Sequence, residues 1–97
     1  MKVVWTDHAA RRLEAIEAFI AADAPAAAAR HIALLVTSAQ ELAEFPLRGR
    51  VVPERPGSSQ RELVVRGYRI VYRVRDDDIQ ILTIFEGHRL LRDEELA

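Results

Sequence analysis

"RELVVRGYRIVYRVRDD", residues 61–77, carries five arginines in seventeen positions and still reads as sheet. In its second half Tyr68, Ile70, Tyr72 and Val74 point one way, and Arg69, Val71, Arg73 and Arg75 the other. A period of two belongs to an extended strand with one face toward a core. Gly67 separates this run from "QRELVVR" at 60–66, so the two read as neighbouring strands. "DDDIQILTIFEG" at 76–87 adds another strand after an acidic turn at Asp76–Asp78. These strands decide the fold, because their apolar face demands a cover.

The cover lies upstream. "KVVW" at 2–5 is a short β-rich run, and Thr6 or Asp7 after it is a candidate helix N-cap. Ala9, Leu13, Ile16 and Ile20 recur at spacings of four, three and four, one apolar stripe of a helix. Arg11, Arg12, Glu14 and Ala18 lie off the stripe and are expected to face water. At "ADAP", 22–25, the helix ends and a second begins, since proline suits a first turn and its predecessor leaves the α region. Residues 26–44 place Ile32, Leu35, Val36, Ala39, Leu42 and Ala43 on one side of that second helix. So short a connection gives an antiparallel helical hairpin. Pro46 and Gly49 in "FPLRGR" stop the second helix, "RVVPE" is a brief strand, and "RPGSS" at 55–59 is linker-like. The expectation is one domain, 1–97, of the α+β class. Its order is β-α-α-β-β-β, with a helical hairpin packed on one face of a twisted, mainly antiparallel sheet.

Charge is distributed unevenly along the 97 residues. The net charge is −1, yet residues 48–75 hold eight arginines against only Glu54 and Glu62. With the helices over the Tyr68 face, Arg69 and Arg73 are expected on an uncovered wall that Arg61 and Arg89 join. Guanidinium binds phosphate and carboxylate bidentately, so such a wall invites an anion. The competing reading is a solvated face, with Arg69 in a cross-strand ion pair with Glu62. The chain has no cysteine, which excludes disulfides and thiolate metal sites. No histidine pair or acidic cluster has ligand spacing, so neither metal nor cofactor is expected. The sequence shows neither a signal-peptide core nor a stretch long enough to span a bilayer, which points to the cytoplasm and away from membranes.

"W-T-x-x-A" at Trp5–Ala9, the helical hairpin, "F-P-x-x-G-R" at Phe45–Arg50, "R-E-L-V-V" at Arg61–Val65, "Y-R-I-V-Y-R-V" at Tyr68–Val74 and "G-H-R" at Gly87–Arg89 occur in this order over essentially the whole chain. Together they resemble the RelE/ParE superfamily, the toxins of type II toxin–antitoxin systems. The resemblance implies the same element order and a cognate antitoxin, ParD-like or RelB-like, that neutralises the toxin. It also implies one of two targets. ParE-like members, associated with plasmid stabilization, are described as inhibitors of DNA gyrase that do no chemistry. RelE-like members are ribosome-dependent endoribonucleases acting on mRNA.

In the ribonuclease reading Arg69 and Arg89 stabilise phosphorane charge, while Glu86 and His88 transfer protons. The tyrosine that RelE-like chains carry after the last strand has no counterpart in "LLRDEELA". The start, the helical bend and "F-P-x-x-G-R" are closer to the ParE-like branch, which makes gyrase the first expectation. A non-toxic homologue that only binds antitoxin is the third reading. In each, Arg61, Arg69, Arg73 and Arg89 are the candidates for target or anion contact. Phe19, Leu34, Arg61, Arg73 and Arg75 are the candidates for antitoxin contact, the first two by receiving an apolar helix.

Overall fold

Thr6 ends one element and starts the next. Its N–H donates to the Ile81 carbonyl at 3.1 Å, prolonging the first strand's ladder. Its Oγ1 accepts from the Ala9 N–H at 3.1 Å and donates to the Leu82 carbonyl at 3.2 Å. One hydroxyl therefore caps a helix and ties it to the sheet. In this computed structural model, which describes residues 1–87, the chain runs β1 (Lys2–Trp5), α1 (Asp7–Ala21), α2 (Pro25–Gln40), a 3-10 turn (Glu41–Ala43), β2 (Arg50–Val51), β3 (Gln60–Val65), β4 (Tyr68–Val74) and β5 (Asp78–Glu86). The strands lie in the order β1-β5-β4-β3-β2. Every neighbouring pair is antiparallel except β1 with β5. The expected helical hairpin on a mainly antiparallel sheet is thus present, and two-residue β2 adds a short edge strand.

The core forms where the predicted stripes meet. Ala9 and Ile16 of α1, Leu35 and Ala39 of α2, and Leu42 bury against Ile70, Tyr72, Ile79, Ile81 and Ile84. Leu13, Ile20, Ile32, Leu63 and Val65 pack around them. Each large aliphatic side chain so buried contributes about 1.5–3 kcal/mol, well above any surface ion pair. Arg12 departs from the expectation. It is half-buried, and its Nε donates to the Ile84 carbonyl at 3.3 Å, because α1 crosses β5 within reach of a long side chain.

The opposite face departs more. It was expected to be an open cationic wall, but Val52, Val71, Leu82 and Phe85 form a second buried cluster there. Two features build it. The β4–β5 register steps from Val71↔Thr83 to Tyr72↔Ile81, leaving Leu82 as the extra residue of a bulge. The β2–β3 connection folds back through Val52 N–H to Gln60 O at 3.1 Å, and Val52 is fully buried. Among the described residues, no helix is long and apolar enough to cross a membrane.

Tyr72 joins the distant motifs. Its buried hydroxyl donates to the Pro46 carbonyl at 2.8 Å and accepts the Gly49 N–H at 2.9 Å. Arg61 Nη1 donates to the Gly49 carbonyl at 2.7 Å. Burial pushes the phenol above its ordinary value of 10.0, against the opposing pull of the Gly49 N–H and the Arg61 charge. Tyr72→Phe is expected to cost about 1–2 kcal/mol, since it strands a buried donor and acceptor. A raised phenol makes the native state hold its proton after the unfolded chain has lost it. Native stability therefore falls as pH rises from about 10 toward the folded-state value. Urea unfolding at neutral and alkaline pH should show that part of the loss missing from the phenylalanine variant.

Candidate functional site

The two acids of the arginine-rich segment, Glu54 and Glu62, hold its central arginine. Glu62 lies on β3 opposite Val71, one diagonal step from Arg69 on β4. Arg69 Nε donates to Glu62 Oε1 at 2.6 Å. Arg69 Nη1 and Nη2 donate to the two Glu54 oxygens at 2.7 and 2.6 Å. Arg50, paired with Glu62 across β2–β3, donates through Nε to Glu62 Oε2 at 2.7 Å. The result is a chain, Arg50–Glu62–Arg69–Glu54, with two positive and two negative charges. The Glu62 and Arg69 side chains are 0% and 7% exposed, whereas that of Arg50 is 67% exposed. The Arg69 guanidinium also lies 5.1 Å from the Phe85 ring centroid. Glu54 first, and then Glu62, hold Arg69 firmly charged in spite of its burial.

Arg69 therefore lies beneath a loop and is not presented on an open wall. A groove of about 700 Å³ runs past it, lined by Arg50, Glu54, Val64 and Gly87 among others. Arg61 is corrected too. It pairs with Tyr72, so it projects to the helix side of the sheet, opposite Arg69. Arg73 shares the Arg69 face, where its Nε donates to Gln80 Oε1 at 2.8 Å. Arg75 makes a bidentate contact with Asp78, at 2.6 and 2.8 Å, which holds that carboxyl below its ordinary range. The arginines of β3 and β4 are thus divided between two faces, and most already have partners. Alternation in β4 was legible, but not which loop acid would fold over it.

Glu86 pairs with Tyr68, whereas Phe85 pairs with Arg69, so Glu86 and Arg69 project to opposite faces. Glu86 lies beside Arg12 and Phe19 of α1. The expected grouping of Glu86 with Arg69 is not formed. His88 and Arg89 lie outside the described residues. Among the described residues, no group of three or more His, Cys, Asp or Glu side chains could hold a metal ion.

On the helical hairpin, Phe19 is 76% exposed, and Leu34 is half-buried beside His31. A second apolar patch is one that sequence reasoning misses, because "FPLRGR" reads only as a helix stop. Phe45 and Leu47 are 53% and 66% exposed there, with the Arg48 guanidinium 5.5 Å from the Phe45 ring centroid.

Comparison with known proteins agrees with this architecture. A family model described as "ParE toxin of type II toxin-antitoxin system, parDE" matches residues 3–91. A protein of Sinorhizobium fredii named "Putative toxin Y4kP" is 42% identical over 92 residues, covering 91% of this chain and 90% of that protein. Toxin RelE2 of Caulobacter vibrioides is 41% identical over 90 residues, covering 92% and 98%. Among solved structures, a chain of the chromosomal ParDE system from P. aeruginosa superposes with a TM-score of 0.77 at 26% identity, covering 89% of this chain and 95% of that one. A chain of the RelBE2 toxin–antitoxin complex of Mycobacterium tuberculosis gives 0.65 at 25% identity, covering 88% and 95%.

Proposed function

The chain belongs to the ParE toxin family of type II toxin–antitoxin systems, within the RelE/ParE superfamily, and from that premise we propose that it acts by binding DNA gyrase and performs no chemistry of its own. The observation that carries this reading is the state of Arg69. A ribonuclease needs an accessible cation to meet charge developing on a phosphate. Arg69 instead spends its hydrogen bonds on two carboxylates, within a cluster whose formal charges cancel. Glu86, the nearest candidate base in sequence, projects from the other face of the sheet.

A cognate antitoxin restrains the toxin in this reading. Phe19 and Leu34 receive an apolar helix, and acidic residues meet Arg61, Arg73 and Arg75. Phe19 supports that role best, since a large aromatic side chain so exposed on a helix contributes little to the fold.

Incubating the antitoxin-free full-length chain with gyrase, supercoiled DNA and ATP is expected to accumulate cleaved DNA. Cut messages on programmed ribosomes, with gyrase unaffected, would overturn the proposal. Inertness in both assays, together with normal growth on induction without antitoxin, would identify a non-toxic antitoxin-binding homologue. The double variant Glu86→Gln/His88→Asn is expected to arrest growth as the parent does. Loss of arrest in a variant that still folds would instead assign proton transfer to that pair.

A further inference from the structure

The groove beside Arg69 is lined at one end by Gly87, the last described residue, so the chain continues into residues 88–97 from its rim. Val64 in this lining is 55% exposed although its strand has a neighbour on either side, and Pro53 is exposed as well. The Arg50 side chain, at the outer end of the charge chain, is 67% exposed. Apolar surface and a cation thus stand on one face of the sheet, and its register sets their distances from Gly87. The Gly87 N–H donates to the Gly67 carbonyl at 2.6 Å, which puts the two residues level. Val64, paired with Arg69, lies two strands across and two residues back, about 12 Å away at the usual strand spacing and rise. Arg50, paired through Glu62 with Val71, lies three strands across and four residues back, about 20 Å away. Residues 88–97 read "HRLLRDEELA". Fully extended, such a chain carries Leu90 and Leu91 about 10–14 Å from Gly87, and Asp93, Glu94 and Glu95 about 20–29 Å. The leucines come within range of Val64 and the acids within range of Arg50, in the order in which the groove presents them.

We propose that residues 88–97 of the same chain lie along this groove as a strap, with Leu90 or Leu91 on Val64 and Pro53 and the Asp93–Glu95 triplet at Arg50. Carboxylates suit a guanidinium that has donors to spare, and the triplet outnumbers Arg89 and Arg92 of the same segment. Tethering favours this occupant over a separate molecule, since a short linker supplies an effective concentration on the order of millimolar. The strap takes the exposed Val64 side chain out of water and screens Arg50 and Arg69 from external anions. It does not depend on which cellular target the toxin has.

The chain has no cysteine, so Ala97→Cys offers a single thiol for a nitroxide label and leaves every named contact intact. In the full-length labelled chain the amide signals of Arg50 and Glu54 are expected to be lost to paramagnetic broadening. The signal of Phe19, on the other face of the sheet near Glu86, is expected to survive. Equal broadening at Phe19 and Arg50 would show a tail with no preferred face and overturn the proposal. A mixture of labelled chain and unlabelled, nitrogen-15-enriched chain should show no broadening. Loss of the Arg50 signal in that mixture would assign the groove to the tail of a second copy, and would overturn the proposal too. Asp93→Asn/Glu94→Gln/Glu95→Gln leaves residues 1–87 untouched and should bring the Arg50 and Glu54 signals back. Arg50→Ala should lower the ratio of docked to undocked chain about two- to fivefold, the worth of an exposed ion pair. Broadening of Glu54 that neither variant reduces would overturn the pairing on which the strap rests.

Discussion

Glu62→Ala is expected to destabilise the fold by about 3 kcal/mol, the low end for breaking a buried ion pair, because Glu54 still holds Arg69. Glu62 is wholly buried and accepts from both Arg50 and Arg69. Removing it leaves a cavity under β2 and a buried guanidinium deprived of one partner. For a domain of this size the loss corresponds to a melting temperature roughly 10–20 °C lower. Exposed Arg50 makes the control, and Arg50→Ala should cost under about 1 kcal/mol despite touching the same carboxylate. The double variant Glu62→Ala/Arg69→Ala should cost less than the sum of its parts, with a coupling of about 1–3 kcal/mol. Additive losses in calorimetry or urea unfolding would show that the pair merely shares a neighbourhood. A stable Glu62→Ala protein would remove the reason for assigning Arg69 to the fold, and with it the main support for a toxin without chemistry.

Gly49→Ala should be as damaging, again by about 3 kcal/mol, through crowding. A Cβ at this position would stand 2.5 Å from the Glu62 carbonyl oxygen and 2.7 Å from the Tyr72 hydroxyl. The first is backbone in a paired strand, and the second is fixed between Pro46 and Gly49 itself, so neither can give way cheaply. The glycine is needed here for close approach and not for an unusual backbone angle, which among the described glycines occurs at Gly57 and Gly67. Partial relief should follow from pairing Gly49→Ala with Tyr72→Phe, which removes one obstructing oxygen and releases from its hydrogen bonds the ring whose Cε1 still stands 2.8 Å away. Denaturant midpoints of the four proteins in that cycle decide whether the crowding argument is right.

Several of the residues that carry the family likeness prove to contact one another. Thr6 caps the helix that buries Ala9. The Pro46 carbonyl accepts from the Tyr72 hydroxyl, the Gly49 N–H donates to it, and Arg61 donates to the Gly49 carbonyl. Arg50, Glu62 and Arg69 share one buried cluster. Motifs from separate stretches thus meet on both faces of the sheet beside the loop leading into β2, while Thr6 binds β5 toward the far edge. This is why the resemblance carries the architecture: these side chains are occupied with folding contacts.

The sequence alone determined the element order, the Thr6 cap, the break at Pro25 and the apolar faces of α1, α2 and β4. Those features are local, set by periods of 3.6 and 2 and by residues with restricted backbones, and they need no knowledge of distant partners. Only the tertiary structure decided that Val52, Val71, Leu82 and Phe85 fill part of the far face, and that Arg61 and Arg69 lie on opposite sides of the sheet. Each of these depends on register, on the Leu82 bulge, or on a loop folding back over a strand. A shift of one residue reverses a side chain's face without altering composition or pattern, so the fate of every arginine rested on pairings made across the sheet.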